Sequence, residues 1–255
     1  MRKLLLIVVL AAVLALMVWL NGLAANWHYV VSGEPGELLY TAAFDGFLEE
    51  WSLYEGRLSA QVVGDALRIT ADAPQSGPFS YASPHFADFD LTVQTRAVVG
   101  SLDNAYGVIF RLDRKANMDP ADDSYYLFLI SSDGYYRLKR VVDGEVRVIS
   151  TWIASPHIRQ GVGADAPVNT IRVLADGPDF RFFINGEPVT LCIPDNPEHE
   201  STLDALGECM DGEMVEVLVD NLLPSGQVGF AVEVGQMQEP GTVVDFDNVL
   251  IYMPE

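Results

Sequence analysis

Gly107-Val108-Ile109-Phe110-Arg111-Leu112, Tyr125-Tyr126-Leu127-Phe128-Leu129-Ile130, Ser132-Asp133-Gly134, Tyr135-Tyr136-Arg137-Leu138-Lys139-Arg140-Val141-Val142, Asp143-Gly144 and Glu145-Val146-Arg147-Val148-Ile149-Ser150 follow one another between Tyr106 and Thr151. Each apolar run is short, rich in β-branched and aromatic residues, and bounded by turn residues, which predicts strands joined as a meander. Asp-Gly between alternating strands is the strongest short hairpin signal, because both central turn positions need positive φ. The same grammar continues outward. A second meander covers Asn169–Ala175, Phe180–Ile184, the Asn185-Gly186 turn and Glu187–Leu191, and the last strands are Gly226–Val234 and Val243–Tyr252. Beyond the N-terminal segment no run of ten or more residues has a 3.6-residue apolar period, and no βαβ alternation occurs. No repeat at propeller or solenoid spacing is found. About a dozen strands must bury an inner face, and two stacked antiparallel sheets do so.

The 255 residues suit one large β domain, and 49% hydrophobic with 10% aromatic residues is enough apolar material for a packed core rather than a disordered chain. The formal net charge of −21 repels nucleic acid, whose binding needs cations at the phosphates. It equally repels anionic headgroups, and suits solubility, cation binding or a neutral or basic partner.

Arg2 and Lys3 precede Leu4–Leu20, a run without a polar residue. It sits near the ~17-residue lower end for a membrane-crossing helix, and beyond the ~7–15 residues of a signal-peptide core. Leu23 falls where a cleavage site wants a small residue, so an uncleaved signal-anchor over 1–20 is favoured over a cleaved signal peptide. The basic residues place the N-terminus inside and the domain on the extracytoplasmic side of the cell membrane, in single-pass topology. A polar, Gly/Pro-containing linker follows over 21–37, then the β domain over 38–255. Cys192 and Cys209 are the only cysteines, and export favours their pairing. The bridge closes an insertion at 192–209, worth ~3 kcal/mol by loop entropy. Within it Ser201-Thr202-Leu203-Asp204 reads as a short helix start.

Glycoside hydrolysis needs two carboxylates flanking the scissile bond. Glu213, Glu216 and Asp220 come nearest, but their spacing does not keep all three on one strand face. No Gly-x-Ser-x-Gly elbow occurs, and His28, His85, His157 and His199 lack metal spacing. No catalytic residue is assigned.

Several motifs combine into a familiar order. Phe44-Asp45-Gly46 precedes Trp51; then come Asp88-Phe89-Asp90-Leu91-Thr92-Val93, Tyr106–Arg111, the Tyr-rich meander, Ile184–Val189, Gly226-Gln227-Val228-Gly229-Phe230 and Val244-Asp245-Phe246-Asp247-Asn248-Val249. This order resembles the concanavalin A-like lectin/glucanase superfamily, in particular its laminin-G-like and 3-keto-disaccharide hydrolase-like groups, over roughly Leu39 to Met253. The resemblance implies an all-β, two-sheet antiparallel jelly-roll sandwich, and the apolar run Leu4–Leu20 predicts one N-terminal transmembrane helix before it. It also implies a structural calcium held by loop oxygens. Asp45, Asp245 and Asp247 are the candidate ligands, with Asp119, Asp122 and Asp123 of the acidic loop as others; turn capping and solvated charge compete with this reading. No cofactor is required. Sugar recognition asks for exposed rings beside planar polar groups. Tyr106, Tyr125, Tyr135, Tyr136 and Trp152 are the candidate rings, and Arg111, Arg137 and Asn104 the polar partners, a role in the core competing for each ring. Alternation puts Arg111 with Ile109 on one face and Phe110 with Val108 on the other, so a core Phe110 places Arg111 outside. The expectation is a membrane-anchored module that binds a glycan or cell-envelope component without catalysis. The alternatives are a divergent glycosidase-like hydrolase and a protein-interaction or structural envelope module.

Overall fold

The computed structural model of the protein describes residues 12–14, 16–17, 29–46, 50–115, 119–235 and 241–255. The described chain begins its sandwich with β1 (Val30–Val31), β2 (Leu38–Ala42), β3 (Leu58–Val62), β4 (Leu67–Ala71), β5 (Phe79–Phe86) and β6 (Phe89–Val99). The meander is β7 (Ala105–Asp113), β8 (Ser124–Ser131), β9 (Tyr135–Val142) and β10 (Glu145–Ala154). Then come β11 (Asn169–Asp176), β12 (Asp179–Ile184), β13 (Glu187–Val189), β14 (Leu191–Pro194), β15 (Gly212–Val215), β16 (Leu218–Val219), β17 (Gly226–Glu233) and β18 (Thr242–Tyr252).

A seven-stranded sheet has the order β1-β5-β17-β7-β8-β9-β10, and a nine-stranded sheet runs β13-β12-β11-β6-β18-β4-β3 with β16 beside β12 and β2 beside β18. β14 and β15 form a separate hairpin. The late strands β17 and β18 each insert between early ones, as a jelly roll requires. Val30 and Val31, read as linker, instead pair in parallel with His85 and Phe86 at the sheet edge. Of the apolar run Leu4–Leu20, residues 12–14 and 16–17 are helical and the rest lies outside the described residues. Among the described residues no helix is long and apolar enough to cross a membrane.

The core lies between the sheets. Val108, Phe110, Tyr126, Phe128 and Ile130 send alternate side chains inward to meet Phe180, Phe182 and Ile184. The Phe128 and Phe182 rings stack at 4.6 Å, and Trp51, Phe230 and Phe246 stack at 5.2 and 4.8 Å. Each fully buried ring contributes ~1.5–3 kcal/mol over an exposed one. At Gly107 the strands approach so closely that an added Cβ would lie 2.0 Å from the Phe128 carbonyl oxygen. Gly107→Ala is therefore expected to prise β7 from β8 and cost about 1–3 kcal/mol or more. A urea midpoint equal to that of the wild type would contradict this.

Cys192 and Cys209 are bonded, with S–S 2.05 Å. The helix start expected at Ser201 is absent: Leu203 bridges Cys209, and Asp204 instead caps a turn by accepting from the Leu206 and Glu208 amides. Ser201 has other partners, the Thr151 amide and the Cys192 carbonyl, which outcompete capping of its own segment.

Candidate functional site

The outward face of the seven-stranded sheet carries a second apolar layer. Ala105, Ile109, Leu112, Leu127, Leu129 and Ala231 are buried there beneath Phe79, Tyr81, Tyr125 and Trp152. On one half of this face Phe79 stands 6.1 Å from both Tyr81 and Tyr125. Arg114 lies over the Tyr81 ring at 5.0 Å, donates to the Tyr81 hydroxyl at 2.7 Å, and pairs with the buried Asp123 at 3.2 Å. Burial pushes the Asp123 carboxyl up, with Arg114 pulling it back, and it pushes the Tyr125 phenol up to about 12.

The other half is open. A cleft of about 810 Å³ is lined by Trp152, Tyr135, Arg137, Lys139 and Glu233, with Gln75, Ser76, Asp103, Ser131 and Asp133 among its rim groups. That volume falls within the range of small-molecule sites. β9 supplies Tyr135, Arg137 and Lys139 at a spacing of two, so all three point to one face. Glu233, on β17, accepts from Arg137 at 2.7 Å and from Lys139 at 2.7 and 2.9 Å. Burial lowers the Lys139 pKa, with Glu233 opposing. The Arg137 guanidinium sits 4.3 Å from the centre of the Trp152 ring. Asp103 accepts from Ser101 and Asp133 from Ser131, so both rim carboxylates are oriented by neighbouring hydroxyls and keep further acceptor capacity.

Of the residues expected at a sugar site, Tyr135, Arg137 and Trp152 meet in this cleft, and Tyr125 lies on the same face in the filled half. Tyr106, Tyr136 and Arg111 do not reach it. Tyr106 is 1% and Tyr136 3% exposed in the interlayer core, their hydroxyls bonded to Ser132 and to the Thr190 carbonyl. Arg111 is 1% exposed, where alternation put it outside. The reason is a bulge: Phe110 pairs with Tyr126 but Asp113 with Ser124, so Arg111 and Leu112 share one partner position. Arg111 takes φ 51° and turns inward after Phe110, to lie 4.7 Å from the Phe180 ring centre. Asn104 is buried, its amide atoms without a hydrogen-bond partner.

For the expected cation ligands, Asp245 is engaged by Arg68 through two bonds of 2.7 and 2.8 Å, and Asp247 accepts from the Asn248 amide and side chain. Burial first, then the charges of Asp65, Asp245 and Asp45, raise the Asp247 pKa. Among the described residues no group of three or more His, Cys, Asp or Glu is arranged to hold a metal ion.

Lys139 and Glu233 also belong to the cleft, although neither is among the residues expected there. Lys139 shares a strand face with Arg137, and alternation alone finds it. Glu233 joins them only because β17 crosses into the middle of the sheet, which no local pattern announces.

Solved structures similar to this chain include a Bacillus subtilis protein of unknown function with a galectin-like fold, at 12% identity and TM-score 0.57 over 87% of this chain and 99% of that one. The Bacillus licheniformis β-glucanase follows at 7% identity and TM-score 0.51 over 86% and 99%. A native glycosidic hydrolase is similar at 10% identity and TM-score 0.52 over 88% and 99%. At such identities the likeness shows the jelly-roll fold alone. No curated protein matches the chain. The family described as the 3-keto-alpha-glucoside-1,2-lyase-like domain matches residues 40–251, which is nearly the whole sandwich, and the chain belongs to that family.

Proposed function

We propose that the cleft on the outward face of the seven-stranded sheet binds a glycan without turning it over. The observation that carries this reading is the cleft itself: the Tyr135 and Trp152 rings stand beside Asp103, Asp133, Gln75 and Ser76. Rings stack on the C–H faces of a sugar while carboxylates and amides bond its hydroxyls. Glu233 is held by both Arg137 and Lys139, so it orders the floor of the cleft instead of offering itself as an acid or base. The family description supports a carbohydrate as ligand. Arg2, Lys3 and the apolar run Leu4–Leu20 support placement of the sandwich outside the cytoplasm, tethered to the membrane and facing a cell-envelope glycan.

A second reading follows from the family description: elimination on a 3-keto glucoside, in which a base removes the C2 proton beside the ketone, the C1–C2 double bond forms and the C1 aglycone leaves with the C–O bonding pair and takes up a proton. Lys139, with its pKa lowered by burial, is the group in the cleft best suited to that role once freed from Glu233. A glycan-array screen of the detergent-solubilised full chain, with mass spectrometry of each bound sugar, separates the two. Saturable binding to one glycan class, reduced roughly tenfold or more by Trp152→Ala, with the sugar unchanged in mass, is the expected result. Release of an eliminated product would establish the second reading, and no binding by the folded chain would overturn the first.

A further inference from the structure

β10 ends the seven-stranded sheet and pairs within it only with β9. Its ladder slips twice: Val148 stands opposite Lys139, Ser150 opposite Leu138 and Ile153 opposite Tyr136. Thr151 and Trp152 therefore together oppose the single residue Arg137, the residue that stacks on the Trp152 ring. A bulge of this kind re-aims a side chain and leaves backbone groups without a ladder partner. Here the disulfide-closed insertion supplies the partners. The Thr151 amide donates to Ser201 Oγ at 2.9 Å, and the Ser201 hydroxyl donates to the Cys192 carbonyl at 2.7 Å. The Cys192 amide donates to Ser150 Oγ at 3.0 Å. Ser150 and Ser201 are both buried, and Cys192 is itself bonded to Cys209. A single relay thus runs from the bridge, through a hydroxyl, to the amide next to Trp152.

We infer that Ser201 and the Cys192–Cys209 bridge are positioning elements of the cleft: they fix the β10 bulge and, through it, the Trp152 ring against Arg137. Reduction of the bridge then loosens the ring in a protein whose interlayer core stays folded. The consequence for binding rests on the glycan reading above, whereas the consequence for the Thr151 amide does not. Two hydroxyls link insertion and strand, Ser201 at the Thr151 amide and Ser150 at the Cys192 amide, and Ser201→Ala removes the one that holds the bulged residue itself.

Amide hydrogen exchange of the full chain, resolved to residues, tests this in the wild type before and after dithiothreitol, and in Ser201→Ala and Ser201→Thr. Loss of the hydroxyl is expected to speed exchange at Thr151 roughly tenfold while β7 and β8 amides stay protected. Reduction should do the same, and Ser201→Thr, which keeps a hydroxyl, should restore protection. On the same glycan array, Ser201→Ala and the reduced protein should bind more weakly, and Ser201→Thr as the wild type does. Thr151 exchange unchanged in both Ser201→Ala and the reduced protein would overturn the inference, as would faster exchange with array binding undiminished. Where the wild type itself binds no glycan, the glycan reading fails and Thr151 exchange alone decides whether the relay holds the bulge. Should either the variant or the reduced protein unfold, the other carries the measurement.

Discussion

Arg111→Ala lowers the free energy of unfolding by about 3–5 kcal/mol. The Arg111 guanidinium donates to the Leu223 carbonyl at 2.8 Å, the Ala87 carbonyl at 2.9 Å and the Gly177 carbonyl at 2.5 Å. Those carbonyls belong to three separate connections, β16–β17, β5–β6 and β11–β12, so one side chain ties one end of the sandwich together. Phe180 lies beneath the guanidinium, and Asp88 Oδ1 is 3.9 Å away. Burial lowers the Arg111 pKa, yet an arginine stays charged at neutral pH. Alanine leaves the buried Leu223 carbonyl without its donor and a void over Phe180, and the two penalties add. Lysine keeps the charge but lacks the planar fork, so Arg111→Lys should recover only part of the loss. Urea denaturation measures both, and a loss below ~1 kcal/mol for alanine would show that the carbonyls find other donors.

Alkaline pH should unfold the protein cooperatively between about pH 10 and 12. Burial pushes Tyr40, Tyr54 and Tyr125 up to about 12 from 10.0. Burial also raises Tyr106, Tyr126 and Tyr136. A phenol whose pKa is higher folded than unfolded contributes stability that is complete below the unfolded value. That stability is lost as pH rises through 10 toward the folded value, by up to ~1.4 kcal/mol per pH unit for each such group. Several groups acting together exceed the net stability of an ordinary domain. Phenolate absorbance should therefore rise in step with the loss of sheet circular dichroism. Complete phenolate formation with the sheet signal intact at pH 12 would contradict it.

The meander was legible because its strands are short, alternating and punctuated by turns that only a few residues tolerate. Tyr135–Val142 matches β9 residue for residue, and Asp143 and Asn185 both take the positive φ that their Asp-Gly and Asn-Gly turns demand. What stayed hidden is of two kinds. Pairing between distant strands is not a local property, so nothing near Glu233 marks its approach to Arg137 and Lys139. Bulges break the period of two on which face assignments rest: Arg111 turns inward after one bulge, and Thr151 and Trp152 share one partner through another. Tyr106 and Tyr136 failed as exposed rings for a simpler cause, since tyrosine suits a strand interior equally well once its hydroxyl finds a partner. The Ser201 helix start failed because a tertiary acceptor and donor took the hydroxyl that a local cap would have used.

A crystal structure of the chain with the glycan selected on the array is the most direct test of where the protein works. A sugar ring is expected against Trp152 or Tyr135, with its hydroxyls within hydrogen-bond distance of Asp103 or Asp133. A glycan seated instead on the nine-stranded sheet or on the disulfide-closed insertion, with the cleft between β9, β10 and β17 vacant, would contradict it.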